Sequence, residues 1–431
     1  MSPEIIGLLG VVVLLALLVF GIWIGMAMAI VGIFGIVIIR GFPQAMTMLG
    51  GIPFQNISFY PITVIPVFIL MGMVIGQTGM GNDLFTAMNK IVGQMRGGLA
   101  MAVVIACAAL AAITGSASTG IIVMSQIALK EMRRFKYADA LSTGAIAASS
   151  TMGIMIPPSL PFVLYGVLTE QSVGKLFIAG ILPGLLQAVV YMIVIYVWAR
   201  INPAVGPAGV KTSLKTKVFA MKDTWPVVAL FLLVMGGIYG GIFTATEAGA
   251  VGAFGAIIIA LIKRQATRKN MLASFVETGK FCGMVILMIA GMFIFIGFIA
   301  VSKLPMFLGE WVGGLGVPNL VILTCIIVLF IILGMFMPEL PMVMLTIPII
   351  FPIVKVLGYD PIWFGVIIIK VMELGSLSPP VGMNVFMLSG ISGISVGTIY
   401  RGVIPFIISD VIQIVLLVAF PIIALALVNL M

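Results

Sequence analysis

Histidine is absent from this chain of 431 residues, cysteine occurs three times, and only 8% of the residues are charged. The missing histidine excludes an imidazole zinc site and a histidine proton relay. Cys107, Cys282 and Cys325 lie far apart inside apolar runs, which argues against a disulfide framework or a thiolate metal site; they read as core packing. No HExxH motif, no nucleophile paired with a base and no phosphate-cradling Gly-rich loop ending in Lys occurs. An intramembrane enzyme and an ATP-driven pump are therefore both disfavoured. A basic n-region is missing too: Met1 to Glu4 has none, and the apolar run behind it continues into a second one, so no cleavable signal is expected.

What the chain has in abundance is apolar surface, at 62% hydrophobic residues and a mean hydropathy of +1.32. Such a chain does not stay soluble as a monomer; it is an integral membrane protein. The apolar runs are about 20 residues long, the length that crosses the hydrocarbon, and lack the period-2 alternation of a barrel strand, so helices are predicted. Crossings are placed near 5–20, 22–39, 59–78, 138–168, 174–199, 225–243, 246–262, 281–301, 361–391 and 397–424. Two further stretches, 97–130 and 318–354, are interrupted midway by Thr114–Gly120 and by Met337–Pro341. Each is predicted to be a re-entrant hairpin, because polar or Pro-rich backbone at that depth is tolerated only when buried in protein or facing water. Asp83 to Met95 and Pro305 to Val312 read as helices lying along the interface, and Arg268 to Lys280 as a third such segment ahead of the crossing at 281.

The chain also repeats itself. Gly153-Ile-Met-Ile-Pro157-Pro158 recurs as Gly375-Ser-Leu-Ser-Pro379-Pro380, Gly180-Ile-Leu-Pro183 as Gly402-Val-Ile-Pro405, and Val31-Gly-Ile-Phe-Gly35 as Val251-Gly-Ala-Phe-Gly255. We divide it into a first repeat over 1–200, a cytoplasmic linker over 201–224 and a second repeat over 225–431. Five crossings per repeat is an odd number, so the second copy is expected upside down relative to the first. With residue 1 outside, the inside loops collect most of the Lys and Arg, including Lys130, Arg133, Arg134, Lys136, Lys215, Lys217, Lys263 and Arg264. Outside remain Arg40, Lys175, Lys303 and Lys355, so both termini are predicted to be periplasmic. The net charge of +9 thus points to the anionic face of a bilayer and not to nucleic acid.

Four polar islands interrupt the apolar background: Gly115-Ser116-Ala-Ser118-Thr119-Gly120, Met337-Pro338-Glu339-Leu-Pro341, Ser149-Ser150-Thr151-Met-Gly153 up to Pro157-Pro158, and Glu373-Leu-Gly375-Ser376-Leu-Ser378-Pro379-Pro380 up to Asn384. A Pro-Pro pair inside a spanning helix removes two donors and frees the carbonyls ahead of it. Those carbonyls and the Ser and Thr hydroxyls make a hard-oxygen cage suited to Na⁺, while half-helix N-termini favour a carboxylate. Small residues also serve simple close packing of helices, so single positions carry less weight than the symmetric set. Intramembrane carboxylates are costly, which draws attention to Glu339 and Glu373 as candidate ion ligands; Asp410 and Lys370 read as buried partners of groups the sequence does not name. Glu247, in Thr244-Ala-Thr-Glu247, reads as an interfacial helix cap.

Several of these motifs resemble one family. Ile156-Pro157-Pro158-Ser159-Leu-Pro161, Tyr165-Gly166, Arg96-Gly97-Gly98-Leu99-Ala100, Gly358-Tyr-Asp360-Pro361-Ile-Trp-Phe364-Gly365 and Leu377-Ser378-Pro379-Pro380-Val-Gly382-Met-Asn384 are similar to the large membrane subunit of tripartite ATP-independent periplasmic (TRAP) transporters, the DctM type. The resemblance spans nearly the whole chain. It implies an inner-membrane permease of the ion transporter superfamily that imports an organic acid, is driven by a Na⁺ gradient, and works by elevator movement of a transport domain. It implies two partners, a small four-helix membrane subunit of the DctQ type and an extracytoplasmic binding protein of the DctP type. By motif position, the resemblance places substrate and sodium at Gly115 to Gly120 with Ser150 to Pro158, and at Met337 to Pro341 with Glu373 to Asn384. Relatives commonly carry Asp where this chain has Met337-Pro338-Glu339. The alternative reading is a binding-protein-independent Na⁺/carboxylate symporter of the same superfamily. No side-chain signature separates C4-dicarboxylates, sialic acid, sugar acids and 2-oxo acids.

Overall fold

The computed structural model describes residues 1–57, 60–209, 212–314 and 316–431, and its regular structure is helical. The first half runs through α1 (Pro3–Val19), α2 (Ile24–Arg40), α3 (Phe42–Ile57), α4 (Val64–Gln77), α5 (Met80–Val92), α6 (Gly98–Thr114), α7 (Ala117–Arg134), α8 (Asp139–Met155), α9 (Leu160–Thr169) and α10 (Val173–Ile201). The remainder comprises α11 (Leu214–Met221), α12 (Trp225–Tyr239), α13 (Ala245–Ile262), α14 (Arg268–Ser302), α15 (Leu304–Gly313), α16 (Asn319–Phe336), α17 (Glu339–Val356), α18 (Pro361–Leu377), α19 (Met383–Ser392), α20 (Val396–Ala419) and α21 (Ile422–Leu425). Among the described residues, nine helices are long and apolar enough to cross a membrane; α1 and α2, at 17 residues each, fall just short. Both α16 and α17 meet the length requirement individually, although the sequence reading joined them as one hairpin.

One expectation needs correction, and two helices were not foreseen. The stretch Arg268 to Lys280 is not a separate interfacial segment: it is the start of α14, one unbroken helix of 35 residues. Nothing in it stops a helix, since Thr267 caps the first turn by accepting from the Asn270 amide and no proline follows before Lys303. At 1.5 Å per residue it is roughly 50 Å long, well beyond the ~30 Å hydrocarbon thickness. Helix α3 was not foreseen at all; its run is short and carries Pro43, Gly50, Gly51 and Pro53. The stretch 201–224 contains a helix that the sequence reading did not place, α11, capped by Ser213, which accepts from the Thr216 amide. The other two interfacial segments are helices as expected. α5 buries Leu84 and Phe85, while α15 leaves Met306, Phe307 and Trp311 exposed as apolar anchors.

Helices meet through small residues at several crossings. A Cβ on Gly291 of α14 would sit 1.9 Å from the Gly25 carbonyl oxygen on α2, and one on Gly402 of α20 would sit 1.9 Å from the Ala140 carbonyl oxygen on α8. Neither approach is open to a residue with a side chain, so glycine is what lets these backbones touch. α14 also packs along α4 and α3, and α13 along α4. The two predicted broken helices are α8 with α9 and α18 with α19, each interrupted at its diproline, and α8 is packed between α6, α7 and α20. The capping box at Thr244 and Glu247 is formed as expected: Glu247 Oε2 accepts from the Thr244 amide at 2.8 Å, and the Thr244 hydroxyl accepts from the Glu247 amide at 3.3 Å.

Candidate functional site

The polar islands come together because each tip packs on the broken helix of its own half. α6 ends at Gly115, in the left-handed region at φ +60°, and α7 begins behind Ser116. A Cβ on Gly115 would lie 2.5 Å from the Pro158 carbonyl oxygen, and one on Gly153 would lie 2.7 Å from the Ser116 carbonyl. The second half does the same with other atoms. A Cβ on Gly334 of α16 would lie 3.1 Å from the Gly375 Cα, and the Gly382 amide donates to the Met335 carbonyl at 3.2 Å.

Both tips face one cavity of about 790 Å³. Thr114, Gly115, Ser116, Ala117, Ser118 and Thr119 line it from the first tip, and Phe336, Met337, Pro338, Glu339, Leu340 and Pro341 from the second. The half-helix starts contribute Leu160, Pro161 and Met383. The opposite wall comes from α1, α2, α4 and α14 and is apolar, with Trp23, Ile69, Met73, Phe281, Met284 and Met288. Of the residues singled out from sequence, Gly115, Ser116, Ser118, Thr119 and Glu339 therefore line the cavity. Ser150, Thr151, Gly153, Pro157, Pro158, Glu373, Gly375, Ser376, Ser378 and Asn384 are buried outside its lining, and Pro379 and Pro380 are exposed but do not line it.

Not every freed carbonyl is available. The Ser159 hydroxyl donates to the Ile154 carbonyl at 2.5 Å, replacing the donor that Pro158 lacks, and the Ser378 hydroxyl donates to the Leu374 carbonyl at 2.7 Å, whose helical partner, the Ser378 amide, bonds Gly375 instead. Ser150 and Thr151 donate to the Ile146 and Ala148 carbonyls, and Ser376 donates to the Glu373 carbonyl while accepting from the Asn384 amide at 3.2 Å. These hydroxyl oxygens keep lone pairs for a cation. Ser149 Oγ, fully buried beside them in sequence, has no hydrogen-bond partner among the described residues. At the first tip the hydroxyls of Ser116, Ser118 and Thr119 and the first-turn amides of α7 are likewise free of protein hydrogen bonds among the described residues. Such an end presents unpaired donors toward an anion.

Behind the breaks lies a charged network, all of it buried. Lys370 Nζ reaches Glu373 Oε2 at 2.9 Å and Asp410 Oδ1 at 2.7 Å. The Tyr191 hydroxyl donates to Asp410 at 2.8 Å, and Gln187 Nε2 donates to Glu373 Oε2 at 2.9 Å and to Tyr191 Oη at 3.1 Å. Its members come from α10, α18 and α20, so it joins the two halves. Glu373 is thus half of a buried ion pair, with its Oε1 left without a partner among the described residues.

Residues 11–423 match the family described as "Tripartite ATP-independent periplasmic transporter, DctM component". This chain belongs to that family. A relative from Pseudomonas aeruginosa, the C4-dicarboxylate TRAP transporter large permease protein DctM, is 35% identical over 87% of this chain and 88% of its own length. The isethionate TRAP transporter permease protein DctMQ of Oleidesulfovibrio alaskensis is 32% identical over 94% of this chain and 67% of its own. The Alcanivorax borkumensis YdaH transporter has the same fold, with a TM-score of 0.65 at 16% identity over 97% of this chain and 98% of that one. The DctM chain is accordingly a multi-pass permease component and not an enzyme.

Sequence reasoning missed two parts of this DctM site. The apolar wall gave no signal, because Met and Phe on a spanning helix look the same whether they face lipid, core or cavity. The ion network gave half a signal: Lys370 and Glu373 stand three residues apart on one helix face, but Asp410, Tyr191 and Gln187 reach them only through tertiary packing.

Proposed function

We propose that this chain is the permease of a tripartite system that imports an organic acid across the inner membrane, coupled to Na⁺ and supplied by an extracytoplasmic binding protein. The observation that carries the reading is the cavity itself. Two tips, one from each half of the chain, meet there against a wall contributed by α1, α2, α4 and α14. In this reading the chain is an inverted repeat over 1–200 and 225–431, α6–α7 and α16–α17 are the hairpins, and the tips with the broken helices move as an elevator past that wall. Na⁺ is held by the lone pairs of Ser149, Ser150 and Thr151 and by the Ser376 and Asn384 oxygens, close behind the tips.

Sidedness has support of its own. The loops assigned inside are held to one another: the Gly97 amide bonds the Gly206 carbonyl at 2.9 Å, the Ala138 amide bonds Val205 at 3.0 Å, and Thr212 Oγ1 donates to the Lys90 carbonyl at 2.7 Å. Lys263 pairs with Asp83 in the same set. A DctQ-type small subunit follows from relatives such as the DctMQ protein, whose name joins the two components.

The reading is tested by reconstituting the chain with its small subunit and binding protein in proteoliposomes and following labelled organic acid under an imposed Na⁺ gradient. Uptake should require all three proteins and stop when the Na⁺ gradient is collapsed. Uptake without the binding protein would favour the independent symporter, and uptake indifferent to Na⁺ would remove the coupling.

A further inference from the structure

We propose that the cavity between the tips takes an organic acid with one carboxylate and a bulky apolar, preferably aromatic, body, and discriminates against dicarboxylates. This rests on the permease reading above and narrows its substrate. The argument is one of charge and shape. Among the described residues, no Lys or Arg side chain lines the cavity, and the chain has no His. The hydroxyl donors lie at the first tip, where Ser116, Ser118 and Thr119 join the open start of α7 around a single carboxylate; the starts of α9, α17 and α19 add backbone amides only. The second tip brings Glu339, a carboxylate of its own.

A second carboxylate on the substrate would have to shed water without gaining a cationic side chain and would face Glu339 across the cavity, which is unfavourable on both counts. The rest of the space is apolar. Trp23, Met73, Phe281 and Met288 form the far wall, and Phe336 and Met284 project into it with 55% and 42% of their surface exposed. Aromatic and thioether side chains of this kind hold a ring by edge and face contacts.

The test reads binding directly on the full-length chain. Cys282 and Cys325 are replaced by Ser, Cys107 being buried, and Met284→Cys supplies a reporter thiol in the cavity wall whose alkylation by a small maleimide is timed. Phenylacetate should slow alkylation at least tenfold at a concentration where succinate and acetate do not. Adding Trp23→Ala should weaken that protection about tenfold, the loss expected for roughly 1.4 kcal/mol of apolar contact. Succinate protecting as well as phenylacetate would overturn the proposal while leaving the permease reading intact, and equal protection by acetate would overturn the role of the apolar body. Protection by none of the three, in protein that still drives Na⁺-dependent uptake, would show that the substrate sits elsewhere and overturn both the class and the cavity assignment.

Discussion

The two halves of the chain share a backbone plan and differ in the chemistry they hang on it. Aligning Pro157-Pro158 with Pro379-Pro380 sets Ala148 opposite Lys370 and Thr151 opposite Glu373; aligning Gly180 with Gly402 sets Ala188 opposite Asp410. At these three positions the first half thus has a small neutral side chain where the second has a charged one. Gln187 sits between the two versions, with Nε2 at 3.5 Å from Thr151 Oγ1 and 2.9 Å from Glu373 Oε2. The tips differ in the same sense: hydroxyls on Ser116, Ser118 and Thr119 face a carboxylate on Glu339. Backbone breaks and close helix contacts are what the two halves have in common, because those define the shape of the cavity. Side chains were left to diverge, and the divergence gives the cavity one end lined by hydroxyls and one acidic end.

The largest expected effect tests the charge asymmetry. Lys370→Met leaves Glu373 and Asp410 buried without their cation and should destabilise the protein by roughly 3–5 kcal/mol. Thr151→Ala, at the position opposite Glu373 on the neutral side, should cost about 1 kcal/mol or less. Thermal unfolding in detergent measures both, and equal losses would erase the distinction between the halves. A smaller effect on folding, with a larger one on transport, is expected at the first tip. Ser118→Leu should abolish most Na⁺-driven uptake while leaving folded yield within about 1 kcal/mol of the parent, since Ser118 is exposed to the cavity. Parallel loss of yield and uptake would instead assign Ser118 to packing. The smallest effect compares the equivalent glycines that open α10 and α20. A Cβ on Gly174 would meet Ile238 at 3.3 Å, whereas one on Gly397 meets nothing within 4 Å. Gly397→Ala should therefore stabilise by roughly 0.5 kcal/mol through helix propensity. Gly174→Ala should gain less or lose, again by thermal unfolding.

Much of this was legible in the chain. Ile156-Pro157-Pro158-Ser159 and its partner around Pro379 announce broken helices because proline lacks the donor a helix needs, a property no tertiary context restores. The tip residues Gly115, Ser116, Ser118, Thr119 and Glu339 were found for a related reason: polar residues in an apolar run must face something other than lipid. What escaped was whatever depends on continuity or on neighbours. Phe42–Ile57 and Tyr60–Gln77 are distinct elements and Pro61 opens the second; the matching stretch of the second half lacks any proline and forms α14 without interruption. Ser378, read as a candidate ion ligand, proved to donate to the Leu374 carbonyl, and Ser159 occupies the Ile154 carbonyl that Pro158 leaves free.

The sequence by itself determined that this protein lives in a membrane, that its chain is helical, that it repeats, and where its helices break, because hydropathy, period and proline act locally. The tertiary structure alone decided which apolar side chains face the cavity and that Lys370 pairs with Asp410 as well as Glu373. The reason is physical: in a chain this apolar, hydrophobicity no longer distinguishes inside from outside. Only the packing of one helix on another says which face is lipid, which is core and which is site.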